Sequence, residues 1–263
     1  VKALARLAQF LLIYCFGLGL LWAAKYGRGL SDYLVPPPGD LLMVARRNGL
    51  LYSEAALDTL AVAVGGHLLA IFLAATVGLI GRSGSWPGNL TRMAAFNLQA
   101  YPIVALAPII FLFLGDGLAS RLLIAAMICY FPLLLHCIGV FAEPVDAVEH
   151  FFRATGTMNW RLELAVRTFE NMDKLITVIV GSGTMAMVGT IVAEFLASAH
   201  GIGYVIRKAL YQNNLAGILV ALFLIGLCCS LYLALIEAIG GWIKARLTGE
   251  PLHANPVLGP ASH

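Results

Sequence analysis

The sequence predicts an all-α membrane protein with six transmembrane helices, and three observations carry that prediction. Six runs, 7–24, 59–81, 93–114, 122–142, 175–193 and 215–236, contain no Asp, Glu, Lys or Arg, and each approaches the roughly 20 apolar residues that cross a bilayer as a helix. Hydrophobic residues make up 60% of the chain and charged residues 12%, where a soluble domain carries about 25% charged residues. The short alternating segments of a membrane β-barrel are absent, and in lipid only helices or closed barrels satisfy their own backbone groups.

The first run follows Lys2 and Arg6, as in a secretory signal, but it is too long for a signal's apolar core and 22–25 makes a poor cleavage site. It reads as a retained helix, which with its outer loop occupies 1–34. In 35–58, Pro36, Pro37 and Pro38 stop a helix and Asp40 is placed to cap a new one, in which Leu41, Leu42, Val44 and Ala45 alternate with Arg46, Arg47 and Asn48. The expectation is a short amphipathic helix at the outer interface, with a plain connector as the alternative. The core domain is 59–247, and 248–263 is a cytosolic tail.

With both termini inside, Lys2, Arg6, Arg82, Arg92, Arg153, Arg161, Arg167, Lys174, Lys244 and Arg246 fall on the cytosolic side. Lys25, Arg28, Arg46, Arg47, Arg121, Arg207 and Lys208 fall outside. The bias favours that orientation. Cys15, Cys129, Cys137, Cys228 and Cys229 all lie in apolar runs without metal-ligand spacing, so they read as packing residues. A net charge of +3 does not point to nucleic acid; the apolar runs imply membrane lipid as a partner.

The long charged insertion, 142–174, lies between the fourth and fifth runs. Val145, Val148 and Phe151 or Phe152 recur at helical spacing, with Asp146, Glu149, His150 and Arg153 between them, predicting an amphipathic helix that ends near Gly156. A second helix follows, with Glu163–Arg167 and Glu170–Lys174 as pairs four residues apart. Two short helices joined at a glycine form a docking elbow for a partner; a solvated loop is the alternative reading.

Polar residues within the spans are candidates for a solute pathway. Asn97, Gln99 and Tyr101 lie beside Pro102 and Pro108, which disturb backbone bonding and can turn carbonyls toward a cavity. His136 lies in the fourth run, and Ser182, Thr184 and Thr190 in the fifth. The preferred contacts are Gln99, Tyr101, Thr184 and His136, against the alternative that such groups bond neighbouring helices. His67 reads as a buried neutral partner. Glu194 ends an apolar run, where a carboxylate needs a partner or a function; the expectation is a place near the outer gate, with Arg207 or Lys208 as its ion-pair partner. Gly181, Gly183 and Gly189 allow close helix approach, either at a dimer's pathway or within one chain. No Lys or Arg lies deep in a run, which disfavours tight anion binding in the membrane.

Ordered landmarks identify a resemblance that covers 35–244. They are Val35-Pro36-Pro37-Pro38, Tyr101-Pro102-Ile103-Val104-Ala105-Leu106-Ala107-Pro108, Phe113-Leu114-Gly115-Asp116-Gly117, Phe131-Pro132, Val192-Ala193-Glu194-Phe195-Leu196-Ala197-Ser198 and Gly201-Ile202-Gly203-Tyr204. Together they resemble the membrane subunit of bacterial binding-protein-dependent ABC importers, the group serving nitrate, bicarbonate, taurine, alkanesulfonates and pyrimidine precursors.

The resemblance implies a type I importer-like permease in the bacterial cytoplasmic (inner) membrane, transporting a small polar or anionic solute. Val145 to Trp160 would be the coupling helix, with Val145, Val148, Glu149, His150, Phe151, Phe152, Arg153, Gly156 and Trp160 meeting the ATPase. The implied partners are ABC ATPase subunits, a second permease chain, alike or different, and a periplasmic or lipid-anchored solute-binding protein. The chain itself carries no Gly-rich phosphate loop, so ATP and Mg belong to the ATPase.

The chain departs from the family pattern in two places. The usual Glu-Ala-Ala reads His150-Phe151-Phe152, and two prolines that often follow are replaced at Met172 and Ile176. A secondary transporter or channel is the alternative class, but it would want inverted repeats or paired intramembrane charges, which the sequence lacks. A membrane enzyme would need clustered catalytic groups, and His67, His136 and His150 fall on separate segments.

Overall fold

The computed structural model describes residues 2–83, 85–99 and 103–249, and in them it is helical, without strands. In chain order the helices are α1 (Lys2–Arg28), α2 (Pro38–Gly81), α3 (Trp86–Gln99), α4 (Ile103–Leu114), α5 (Leu118–Ala142), α6 (Asp146–Ala154), α7 (Trp160–Glu170), α8 (Met172–Ala197), α9 (Gly201–Tyr211) and α10 (Leu215–Thr248). Five of them, α1, α2, α5, α8 and α10, are long and apolar enough to cross a membrane.

The described residues of the third apolar run lie in α3 and α4, of 14 and 12 residues. Ala100, Tyr101 and Pro102 lie outside the described residues. The amphipathic segment after the prolines is no separate short helix. Pro38 occupies the first turn, where its missing N–H costs nothing, and α2 then runs 44 residues without a break. At 1.5 Å per residue it is about 66 Å long, so its first half extends beyond the span that begins near Thr59.

α5 and α8 form the centre, with α2 against α5 and α10 closing the other side. Lipid supplies no hydrophobic drive between helices, so contact depends on close packing. Small residues provide it: a Cβ on Gly66 would lie 2.6 Å from Ala125 Cβ, and one on Gly78 2.9 Å from Cys137 Cβ. Gly189 approaches Ile128 of α5 in the same way, and Gly183 sits beside His67 and Leu233, so both serve packing within the chain, whereas Gly181 faces open space.

His67 is fully buried, with Nδ1 2.7 Å from the Tyr232 hydroxyl and Nε2 2.9 Å from Ser182 Oγ. It joins α2, α8 and α10 as a satisfied core histidine. Among the described helices α1 packs on α10, through Phe10, Tyr14 and Phe223, and an Arg6–Glu237 pair at 2.6 Å.

Gly66→Val places branched carbons against the α5 backbone and should cost about 1–3 kcal/mol, the usual range for overpacking. Gly181→Ala should be neutral or slightly stabilising. Thermal unfolding of the two variants in detergent checks the contrast.

Candidate functional site

The end of the molecule where α2 and α5 finish carries the elbow. α6 is the amphipathic helix expected from 145–156, and Gly156 follows it with φ +68°, the left-handed turn that glycine tolerates best. Asn159 caps α7 by accepting from the backbone N–H groups of Arg161 and Leu162 at 3.1 and 3.0 Å.

α6 turns inward the side that carries Val145, Val148 and Phe152, all half-buried, and leaves Phe151 62% exposed. Glu149 is buried on that inward side, at 2% exposed. Arg167 of α7 is the reason. Its Nε and Nη2 donate to the two Glu149 oxygens at 2.7 and 3.1 Å, and its Nη1 donates to the Phe141 and Ala142 carbonyls at 3.0 and 3.3 Å. The same Nη1 lies 2.9 Å from Glu163.

One guanidinium therefore caps α5, holds α7 to itself and pins α6, a bidentate use that suits arginine. Arg153 adds a bond to Glu149 at 2.8 Å, and Arg82 at the end of α2 reaches Glu163 at 3.2 Å. The Arg167 bonds hold the Glu149 carboxyl at about 2, below its ordinary 4.5, against the opposing effect of burial.

The expected Glu163–Arg167 pair is present. Lys174, however, lies across the Asn171 break on α8 and pairs with Glu143 at 2.8 Å instead of with Glu170. His150, Arg153, Gly156 and Trp160 are exposed, and Val145, Val148 and Phe152 are half-buried. Phe151 and Phe152 stack edge-on at 5.5 Å, and Arg161 covers the Trp160 ring at 5.3 Å. An aromatic surface thus stands on an ion-paired base.

At the opposite end Glu194 is fully buried and partners Arg121, not Arg207 or Lys208. Arg121 Nη1 lies 3.1 Å from Glu194 and 2.7 Å from Asp58, while Thr59 Oγ1 is 2.7 Å from Glu194 and accepts from the Ile202 N–H at 2.8 Å. The Gly203 N–H donates to Glu194 at 3.1 Å. A Cβ on Gly201 or Gly203 would collide with the Glu194 side chain, which explains both glycines of that motif.

Arg207 instead caps α8, donating to the Phe195 and Ser198 carbonyls. Asp116 accepts from Ser198 Oγ and the Ala199 N–H at 2.8 and 2.7 Å; burial raises its pKa, but these bonds outweigh that effect and lower it. α9 is therefore clamped to α2 and α8. Beside it lies a cleft of about 580 Å³ lined by Glu54, Asp58, His200 and Lys208.

Of the remaining pathway candidates, His136 on α5 and Thr184 on α8 are exposed, in contrast to buried Ser182 and Thr190. Thr184 shares one face of α8 with Thr177, Gly181 and Val188, all exposed. His136 lines a cavity of about 760 Å³ with Phe96, Gly139 and Thr177. Gln99 ends α3, and Tyr101 lies outside the described residues. Sequence reasoning missed Asp58, Thr59, Arg121 and the clamping role of Arg167, because their partners are 18 to 143 residues away.

Residues 59–249 match the family described as binding-protein-dependent transport system inner membrane component. The chain is 29% identical over 188 residues to the riboflavin transport system permease protein RibX of Chloroflexus aurantiacus, covering 69% of this chain and 68% of that one. It is 24% identical over 213 residues to the formylaminopyrimidine transport permease protein ThiX of Halalkalibacterium halodurans, covering 79% and 83%.

Glu149 has its pKa lowered by folding, so its contribution to stability is complete above about pH 4.5 and is lost as the pH falls through about 2. The unfolding temperatures of wild type and Glu149→Gln should therefore differ at pH 7 and converge as the pH approaches 2. Arg167→Met strands a buried carboxylate and should cost about 3–5 kcal/mol at neutral pH, measured by denaturant unfolding.

Proposed function

The chain belongs to the binding-protein-dependent transport system inner membrane components, as the permease of an ABC importer and not an enzyme, and from that premise we propose how it works. It is a multi-pass inner-membrane protein. In our reading both termini and the elbow lie in the cytosol. Two permease chains, alike or different, enclose the pathway, and a periplasmic or lipid-anchored binding protein delivers the solute to the end that carries α9. Separate ATPase subunits bind ATP and Mg.

The observation that carries this reading is the exposed Phe151 of α6 and Trp160 of α7 on an elbow held by the Glu149–Arg167 pair. An exposed Phe151 and Trp160 on a rigid base form a plug for an apolar cleft, with Phe152, Val148, His150 and Arg153 at its edges. Closure of the ATPases on ATP pulls α6. Because Arg167 ties α6 to α7 and to the end of α5, the pull reaches the spans rather than bending the elbow. ATP supplies the differential affinity for the outward-facing arrangement that such a shift requires.

The solute is a small polar organic molecule. The relatives named for riboflavin and formylaminopyrimidine point to a flat nitrogen heterocycle. Pathway contacts are assigned to His136, Thr184, Gln99 and Tyr101. Glu194 is assigned to holding α9 at the outer gate.

Deletion of 145–156 should abolish copurification of the ATPase while membrane insertion persists, and Phe151→Asp should do the same with the elbow intact. Retained copurification in both would contradict the assignment. The bulky Phe151–Phe152 pair should also exclude ATPases of related importers that accept small residues there, which a subunit-exchange pull-down tests.

A further inference from the structure

The cavity between α3, α5 and α8, near the elbow end, has walls whose hydrogen-bonding sense can be worked out. His136 Nδ1 lies 2.7 Å from the Pro132 carbonyl oxygen. A carbonyl only accepts, so Nδ1 carries the hydrogen, and the neutral ring then offers Nε2 as an acceptor. Thr177 Oγ1 donates its single hydrogen to the Asp173 carbonyl at 2.8 Å, so it too has only lone pairs to offer.

The charged residues of the lining are already paired. Lys174 binds Glu143 at 3.0 and 2.8 Å, and Asp173 binds Lys244 at 2.8 and 2.6 Å. The other walls are apolar, with Phe96 on one side and Val140 and Val178 on the other. Gly139 leaves a gap, since a Cβ there meets nothing within 4 Å.

We propose that this cavity is a binding station on the pathway for a flat, neutral nitrogen heterocycle with at least two N–H or O–H donors, read by His136 Nε2 and Thr177 Oγ1. The bare edge of α5 at Gly139 admits the ring. This rests on the reading of the chain as a heterocycle permease, and it adds where the ring pauses and which of its groups are read. An anion finds no unpaired cation among the described lining residues, and a molecule with only acceptors meets only the Lys174 ammonium, already held by Glu143.

The test uses the importer purified with its ATPase and binding protein and reconstituted in vesicles, with ATP-driven uptake of riboflavin, cytosine and taurine as probes. Gly139→Leu projects into the gap from a Cβ position with nothing within 4 Å, His136→Leu removes the acceptor and His136→Gln restores one. Uptake of a heterocycle should fall about tenfold or more in Gly139→Leu and His136→Leu, the scale of a lost buried hydrogen bond. It should recover to within about threefold in His136→Gln, with copurification unchanged in all three. Wild-type heterocycle uptake that neither Gly139→Leu nor His136→Leu lowers would overturn the station while leaving the substrate class standing. A wild type that imports taurine but neither heterocycle would overturn the substrate class, and the station with it.

Discussion

The Arg167 guanidinium, buried among two carboxylates and two backbone carbonyls, is the interaction on which the rest of this account depends. A short helix such as α6 has little stability of its own, and its inward Val145, Val148 and Phe152 are only half-buried. What fixes it is the Glu149–Arg167 fork at 2.7 and 3.1 Å. The same guanidinium holds the last carbonyls of α5, so helix and span are joined through one side chain. Charge pairs in which both groups are buried are costly to break once formed, which suits the coupling role proposed for α6.

The opposite end solves a related problem. Glu194 brings a carboxylate to a fully buried position, and Arg121, Thr59 and the Gly203 N–H compensate it there. Arg121 is itself shared with Asp58 at 2.7 Å, and its Nε has no hydrogen-bond partner among the described residues. Between these two polar ends the helices touch through small residues and through the His67–Tyr232–Ser182 bonds. The bundle is thus stiff at both ends of its central helices.

Much of this was legible in the sequence. Charge-free runs gave the spans, the spacing of Val145, Val148 and Phe151 gave α6, and the ordered glycines and prolines carried the family resemblance. Three features were not legible, each for a physical reason. The burial of Glu149 on α6 was hidden because an amphipathic pattern marks a charged residue as outward, and here an arginine on another helix draws it in. The partner of Glu194 was hidden because the nearest basic residues in sequence, Arg207 and Lys208, lie on α9, where Arg207 caps α8; the true partner is 73 residues away. The continuity of α2 through 38–81 was hidden because a change of composition near Thr59 marks where lipid begins, and a helix can pass that boundary unbroken.

The most direct test of the central claim is the ratio of solute imported to ATP hydrolysed by the reconstituted importer carrying Arg167→Lys, which keeps the charge but loses the fork and the carbonyl contacts. The account predicts that hydrolysis continues while import per ATP falls several-fold, because the elbow now yields under the pull. An unchanged ratio, with the variant fully assembled, would contradict the claim that Arg167 carries the motion from α6 to the spans.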